Sequence, residues 1–189
     1  MMNGKDFKIN YGTKFFKFLN NTNTHNNFKY KIGLNVDVVP FNPNGNCETG
    51  GLYFTDINNI FYFYDYGNKI ACIKILDDSR VYIENFSKNG IVKFKTDKFI
   101  ITEIYETEDE IMKLLEYADN MKYKWEQDNN LCTFTAKCGY INCLKYVHNK
   151  GCKITDYTRL IATMYGTYDT YEHTECLKYI NDILKEYLF

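Results

Sequence analysis

Gly50 and Gly51 stand directly before the apolar residues 52–54, and this pair could form a loop that holds a nucleotide. Backbone N–H groups at such loops bind phosphate. A dinucleotide fingerprint requires G-x-G-x-x-G and a P-loop requires G-x-x-x-x-G-K-[ST], and the sequence contains neither spacing. We therefore interpret the pair as a turn that begins a core strand.

Cysteine and histidine are the other residue types that could form a site. A zinc site could be composed from His148 and the cysteines around it, Cys138, Cys143 and Cys152. Their spacings are not those of zinc fingers, and no local motif supports Cys47 or Cys143 as a nucleophile. The seven cysteines form no CxxC pair, which is typical of reduced thiols. The sequence thus predicts no metal, no cofactor and no catalytic residue.

The charge pattern limits the classes of partner. A net charge of −1, with arginine only at positions 80 and 159, gives no general attraction for nucleic acid or anionic lipid. No apolar stretch reaches about 18 residues, and the N-terminus lacks the apolar core of a signal peptide. We expect an intracellular protein, not secreted, that binds neither nucleic acid nor membrane.

Short strands must position the residues of the first part of the chain. Strands are predicted where aromatic and β-branched residues stand between turn residues, at 28–32, 34–39, 51–54, 70–76, 81–84, 91–94 and 99–105. A helix after Asp56 should end at Gly67, and residues 87–90 should form a hairpin turn. Residues 1–106 are therefore predicted to form a β-rich N-terminal module.

The periodicity becomes helical after residue 106. Thr107 and Glu110 form a capping box, and apolar residues spaced by three and four predict one amphipathic helix, or two short ones, to about residue 127. Beyond it, Cys-Leu-Lys-Tyr at 143–146 recurs at 176–179, and Thr-Ala-Lys-Cys-Gly at 135–139 is echoed at 161–166. Residues 107–189 are therefore predicted to form a helical repeat region packed on the first module.

The repeat pattern resembles a known family. Ala136-x-x-Gly139-x-x-x-Cys-Leu-Lys-Tyr, followed by Gly151-Cys152, resembles the divergent ankyrin-type repeats of giant, mimivirus-like DNA viruses. The resemblance covers residues 130–186, and Asn-Leu-Cys-Thr at 130–133 replaces the usual Thr-Pro-Leu-His. Residues 28–35, 39–45, 50–55 and 94–100 are similar to an N-terminal module that precedes such repeats in those viruses.

This resemblance implies the fold and a function. The fold would be α+β, with a mixed β/α module followed by an α-helical tail of ankyrin-like helix-turn-helix hairpins. The function would be that of a viral, non-enzymatic protein-protein interaction module in the host cytoplasm or the virion, with a host or viral protein as partner. The oligomeric state stays open. Tyrosine is favoured at interfaces, and the candidate contact residues near the inter-hairpin turns are Tyr140, Tyr165, Tyr168 and Tyr171.

One alternative from a different class stays open. The strand at 51–54, followed by a helix and another strand, also resembles the nicotinamide pocket of ADP-ribosyltransferase-like, NAD-binding enzymes. That resemblance implies a pocket at Gly50 and Gly51 in which Tyr53 stacks on the nicotinamide and Glu84 or Glu103 orients the ribose. The alternative predicts an open pocket beside Tyr53, whereas the interaction hypothesis predicts a filled core there.

Overall fold

The computed structural model describes residues 1–44, 47–86, 91–166 and 171–186. It contains both sheets and helices, so the prediction of an α+β protein is confirmed. The chain divides into two compact units, Met1–Glu106 and Thr107–Phe189. The hairpin turn predicted at 87–90 lies outside the described residues.

The first unit is built from short strands and two short helices. In chain order these are β1 (Met2–Asn3), α1 (Gly4–Tyr11), β2 (Phe15–Leu19), β3 (Thr24–His25), β4 (Phe28–Lys29), β5 (Gly33–Val36), β6 (Leu52–Phe54), a 3₁₀ helix (Ile60–Tyr66), β7 (Lys69–Lys74), β8 (Arg80–Phe86), β9 (Ile91–Thr96) and β10 (Lys98–Tyr105). They form two four-stranded antiparallel sheets, β1-β8-β9-β6 and β2-β7-β10-β5, and a separate β3-β4 pair.

Four phenylalanine rings form the centre of the core of the first unit. The Phe7 ring of α1 lies 5.0 Å from that of Phe15 and 4.8 Å from that of Phe94. Phe54 lies 5.4 Å from both Phe15 and Phe94. Phe54 and Phe94 are cross-strand partners in one sheet, and Phe15 belongs to the other. Because aromatic pairs of this kind add to the stability of buried apolar area, these rings join the two sheets through one shared core.

Several elements differ from the sequence-based expectation. The N-terminal helix α1 and strand β2 were not predicted. The strand expected at 28–32 is limited to Phe28–Lys29, and the helix expected after Asp56 is a 3₁₀ helix that ends before Gly67. The β3-β4 turn is made by Asn26 and Asn27, which have positive φ angles of 49° and 63°. Asparagine adopts this conformation readily, so the hairpin forms without glycine.

Strand β5 lies at the edge of its sheet. Its even-numbered residues and their neighbours are apolar and exposed: Ile32, Leu34, Val36 and Val38. Asn35, which alternates with them, is buried, and its side-chain amide donates to the carbonyl groups of Lys31 and Gly33. The buried Asn35 amide therefore fixes the backbone of the strand by hydrogen bonds on its inner face, while the apolar side chains point to solvent.

The second unit consists of helices. They are α2 (Glu108–Asn120), a 3₁₀ turn (Trp125–Gln127), α3 (Asn130–Lys137), α4 (Ile141–Asn149), α5 (Asp156–Tyr165) and α6 (Tyr171–Glu186). The predicted capping box is present, since the Thr107 hydroxyl accepts the Glu110 N–H and the Glu110 carboxylate accepts the Thr107 N–H. Of the two predicted alternatives, two short helices are present rather than one: α2 ends at Asn120, the 3₁₀ turn ends at Gln127, and Lys122 between them has a positive φ of 58°.

Contacts between helices hold the second unit together. The Glu108 carboxylate of α2 accepts the backbone N–H groups of Asn142 and Cys143 at the start of α4, at 2.6 and 3.1 Å. An anion at a helix N-terminus satisfies otherwise unpaired N–H groups. Thr133 of α3 is 3.2 Å from Thr158 of α5 through their hydroxyl oxygens. Thus α4 packs on α2, and α5 packs on α3.

The α3-α4 turn depends on one glycine. Gly139 has a positive φ of 75°, and a Cβ atom there would lie 2.9 Å from the ring of His173. The His173 Nε2 atom is in turn 3.1 Å from the carbonyl oxygen of Lys137. Glycine is therefore required both for the backbone conformation and for the close approach of α6.

Candidate functional site

A cavity of about 290 Å³ lies in the first unit. It is close in size to the smaller pockets that bind organic ligands. Its lining comes from β2, β3, β6, β9, the 3₁₀ helix and the loop before β6: Phe16, Lys17, Phe18, His25, Asn26, Cys47, Tyr53, Phe54, Thr55, Ile60, Phe63, Tyr66 and Lys93.

The described lining contains two buried cations, Lys17 and Lys93. Of these two, Lys17 is the one whose charge is not balanced by a carboxylate. All five residues of β2 are buried, and Lys17 is only 6% exposed. Its Nζ lies 3.2 Å from His25 Nδ1 and 4.9 Å from the centre of the Tyr30 ring. Burial, and then the charge of Lys93, lower the pKa of Lys17 from 10.5 to about 7.

His25, the polar neighbour of Lys17, is neutral. Burial, and then the charge of Lys17, lower the pKa of His25 to about 4. A neutral imidazole can accept a hydrogen bond at Nδ1, so the Lys17 ammonium donates to it. The His25 ring also packs 5.2 Å from the ring of Tyr66. The histidine therefore orients the lysine without adding charge.

Lys93 has a different environment, because a carboxylate balances its charge. Its Nζ lies 3.1 Å from Glu84 Oε1, and the two residues are cross-strand partners in β8 and β9. The ammonium also donates to Cys47 Sγ at 2.7 Å, and the Cys47 N–H donates to Glu84 at 3.1 Å. Buried ions are stable when they are paired and hydrogen-bonded in this way.

The glycine pair forms a turn. Gly50 and Gly51 have positive φ angles of 88° and 142°, and β6 follows them directly. The Gly51 N–H donates to Asp37 at 2.6 Å. A Cβ atom on Gly50 would lie 2.5 Å from the carbonyl oxygen of Pro40. Both positions therefore require glycine for backbone reasons, and the cavity that they line holds only about 50 Å³.

Tyr53 lines both cavities. Its hydroxyl donates to the carbonyl oxygen of Glu48 at 3.1 Å, and the ammonium groups of Lys93 and Lys95 lie 4.5 and 5.4 Å from its ring centre. Burial, and then the charge of Glu84, raise the pKa of Tyr53. Its ring therefore makes cation–π contacts with both ammonium groups, and Lys93 is the one that lines the larger cavity.

The structure brings only some of the predicted pocket residues together. Gly50, Gly51 and Tyr53 are neighbours. Glu84 forms an ion pair with Lys93 of the larger cavity, but Glu84 itself is not part of the lining of either cavity. Glu103 is exposed on β10, after a bulge between Ile101 and Glu103. The expectation of a filled core beside Tyr53 is wrong, because an open cavity lies there.

Sequence reasoning missed the two lysines of the cavity. Lys17 is the charged residue in the run Phe-Phe-Lys-Phe-Leu that forms β2. Lys93 lies in β9, where it and Lys95 alternate with Phe94. A lysine enclosed by apolar residues on both sides is a signal for a buried cation, because lysine is rarely buried without a specific reason.

The tyrosines predicted to contact a partner are spread over the second unit. Tyr140 is half-buried, and its ring lies 6.4 Å from that of Phe134. Tyr165 is exposed at the end of α5 beneath the ammonium of Lys137, and Tyr171 begins α6 with 75% of its surface exposed. Tyr168 lies outside the described residues.

Helix α5 carries an exposed apolar stripe. Tyr157, Leu160 and Met164, at helical spacings of three and four, are each more than half exposed. On another face of the same helix, Thr158 and Ala162 are buried. Helix α5 thus has one apolar face toward solvent besides the face that packs within the unit.

The described residues contain no group of three or more His, Cys, Asp or Glu side chains placed to hold a metal ion. Among their helices, none has both the length and the apolar character that crossing a membrane requires.

Comparison with known proteins identifies relatives of the chain. Three proteins of Acanthamoeba polyphaga mimivirus, provisionally named ankyrin repeat proteins, are similar to it. One is 25% identical over 176 residues, which cover 92% of this chain and 83% of the relative. The second is 44% identical over 50 residues (26% of this chain, 16% of the relative) and the third 32% identical over 94 residues (44% and 28%).

These similarities confirm the resemblance to ankyrin repeat proteins of giant viruses. The chain spans most of the length of the first relative and less than a third of the length of the other two. No protein-family model and no solved structure matches the chain.

Proposed function

We propose that the chain is a viral, non-enzymatic protein-interaction module that acts inside the infected host cell. It would consist of a β-rich N-terminal module and a tail of ankyrin-like hairpins formed by α3 with α4 and by α5 with α6. The similarity to mimivirus ankyrin repeat proteins supports this proposal. Repeat hairpins of this kind stack on their neighbours and present extended binding surfaces.

The observation that carries the proposal is the exposed stripe of α5. When Ala136 is aligned with Ala162, Leu131 and Phe134 of α3 correspond to Tyr157 and Leu160 of α5. The two α3 residues are 0% exposed, whereas both α5 residues are 53% exposed. Positions that helices of the same unit cover in the first repeat are thus open to solvent in the second.

We propose an amphipathic helix of a partner protein as the occupant of this stripe. The spacing of Tyr157, Leu160 and Met164 matches one side of a helix-helix contact. Helices already cover the equivalent positions of α3, so the same chemistry suits the stripe. Tyr165 and Tyr171 are proposed to contact the edge of the partner, as large exposed aromatic residues at interfaces do.

The cavity does not favour the NAD-binding alternative. That alternative needs a carboxylate that faces a ligand-sized pocket beside Tyr53, and the described lining of the cavity of about 290 Å³ contains none. Asp37 and Glu48 line the smaller cavity at Gly50 and Gly51, but that cavity holds only about 50 Å³. The charged groups that line the larger cavity are the cations Lys17 and Lys93. A lining of this charge supports binding of an anion better than orientation of a ribose hydroxyl.

The test is site-specific photo-crosslinking from the stripe. p-Benzoylphenylalanine at position 160 should crosslink a partner in infected cells, and the same group at exposed Lys113 of α2 serves as the control position. The crosslinked segment is then synthesised, and its affinity for the purified chain is measured by fluorescence anisotropy. We expect the segment to gain helicity on binding and to bind Leu160→Glu at least about tenfold more weakly, because a buried charge replaces an apolar contact.

Three results would contradict the proposal. Equal crosslinking from positions 160 and 113 would show that the stripe has no specific occupant. A crosslink to a second copy of this chain, with dimers detected by light scattering, would replace the partner helix by self-association. Unchanged affinity of the segment for Leu160→Glu would place the contact elsewhere.

A further inference from the structure

The cavity of the first unit contains a buried cation that lacks an anion. Lys17 is 6% exposed, and its described polar neighbour is the neutral His25. No carboxylate of the described residues lies within ion-pair distance of its Nζ. A buried ammonium without a counter-charge is costly, and the space that could hold a counter-charge is the cavity itself.

The groups around Lys17 do not balance its charge. His25 from β3 and Tyr30 from the segment after β4 face its ammonium and are uncharged at neutral pH. Lys93 from β9 is a second cation and is already paired with Glu84. Of the remaining titratable residues of the lining, Cys47 contacts Lys93, Tyr66 packs on His25, and the Tyr53 hydroxyl donates to the carbonyl oxygen of Glu48. When Lys17 is protonated, these groups therefore leave its charge unbalanced.

The rest of the lining is largely apolar. It includes Phe16 and Phe18 of β2, and Phe63 and Tyr66 of the 3₁₀ helix, whose two rings lie 6.3 Å apart. Tyr66, Asn26 and Cys47 are exposed, so the cavity communicates with solvent there. Ligand pockets typically combine such apolar walls with a few polar groups that fix orientation.

We propose that this cavity binds a small organic anion, in which one carboxylate or phosphate group contacts the Lys17 ammonium and an apolar body packs against the aromatic side chains of the lining. This binding site lies in the first unit, whereas the helix-docking surface on α5 lies in the second. The bound anion would supply the charge that Lys17 lacks and would add a third partner to the hydrogen-bond arrangement of Lys17 and His25.

The affinity of the cavity for the anion should depend on pH, because the charge of Lys17 does. The pKa of Lys17 is about 7 in the free protein, and a bound anion raises it because an opposite charge favours the protonated amine. Affinity for a permanent anion should be constant below about pH 7 and fall by up to about tenfold per pH unit above it. His25, which stays neutral above about pH 5, does not contribute to this change.

The experiment uses calorimetric titration of the full chain with three probes. Benzoate and phenyl phosphate carry the two candidate anionic groups, and benzamide is the neutral control. We expect one or both anions to bind at least about tenfold more tightly than benzamide at pH 6, and the tighter one identifies the anionic group. Benzoate, whose charge is constant over this range, should bind about tenfold more weakly at pH 8.5 than at pH 6.

Matched variants separate Lys17 from a general charge effect. Lys17→Met should lose the preference for the anions, and Lys74→Met, which removes an exposed lysine of the neighbouring strand β7, should retain it. Lys17→Arg should bind benzoate with no pH dependence between pH 6 and 8.5, because a guanidinium does not titrate there. This variant keeps the test decisive if Lys17→Met fails to fold.

An independent readout uses Cys47, which lines the cavity and is exposed, unlike the other six cysteines. Benzoate should slow its alkylation by iodoacetamide at least about twofold, since an occupied cavity restricts access to the thiol. The proposal is overturned if no anion binds the wild-type chain, if benzamide binds as tightly as benzoate, or if Lys17→Arg retains the pH dependence. Unchanged alkylation with benzoate bound would place the ligand outside this cavity.

Discussion

Helices α3 and α5 occupy equivalent places in two sequence repeats, but their environments differ. In α3 every residue from Leu131 to Ala136 is buried. In α5 only Thr158 and Ala162 are buried, although the hydrophobic pattern is similar. The comparison teaches that the repeat pattern specifies a helix with apolar faces, whereas neighbouring helices decide how many of those faces are covered.

The sharpest test of this comparison is truncation of equivalent side chains. Phe134→Ala should lower the free energy of unfolding by roughly 3–5 kcal/mol, because it opens a cavity in a fully buried site. Leu160→Ala should change it by less than about 0.5 kcal/mol, because that side chain is already exposed. Urea denaturation followed by circular dichroism at 222 nm measures both. Similar losses in the two variants would show that α5 is covered as fully as α3.

The glycines that end the two helices provide a second test. Gly139→Ala should lower stability by roughly 1–2 kcal/mol, because its φ of 75° is left-handed and its Cβ atom would press on His173. Gly166 has an ordinary φ of −72°, and a Cβ atom there would meet His173 at a normal 3.5 Å. Gly166→Ala should therefore raise stability by about 0.4–1 kcal/mol. Thermal unfolding compares the two, and the same sign of change in both would refute the distinction.

The smallest expected difference concerns the helix N-termini. The Asp128 carboxylate accepts the N–H groups of Asn130 and Leu131 at 2.7 and 3.1 Å, whereas the Thr155 hydroxyl accepts that of Thr158 at 3.3 Å. Asp128→Ala should cost about 1–2 kcal/mol and Thr155→Ala about 0.5–1 kcal/mol. Asp128→Asn, which keeps an acceptor, is the control in urea denaturation. A larger loss from Thr155→Ala would reverse the order.

Local signals in the sequence predicted much of the second unit. The capping box at Thr107 predicted the start of α2, and the glycine of the repeat motif, Gly139, lies at the turn before α4. These signals work because the residues that carry them act on their own backbone. The sequence left open one helix or two short ones, and the position of the break was not predictable, since Lys122 has no intrinsic preference for a positive φ.

The candidate site of the first unit was harder to predict, because its residues come together through long-range pairing. The glycine turn and Tyr53 were recognised, but the partnership of Lys17 with His25 depends on the packing of β2 beside the β3-β4 pair. The placement of Glu103 in the pocket was wrong for a related reason. The bulge after Ile101 interrupts the two-residue alternation of β10, and no sequence pattern at this position predicts that bulge.

The edge strand β5 has a consequence for the behaviour of the protein at high concentration. Its outer backbone groups and its exposed apolar side chains at Leu34 and Val36 form a template on which a strand of another polypeptide could assemble, the first step toward aggregation. The strand is only four residues long and is bracketed by the charged residues Lys31 and Asp37. The short length and the flanking charges oppose pairing with another strand, so they protect this apolar edge from aggregation during synthesis of the chain.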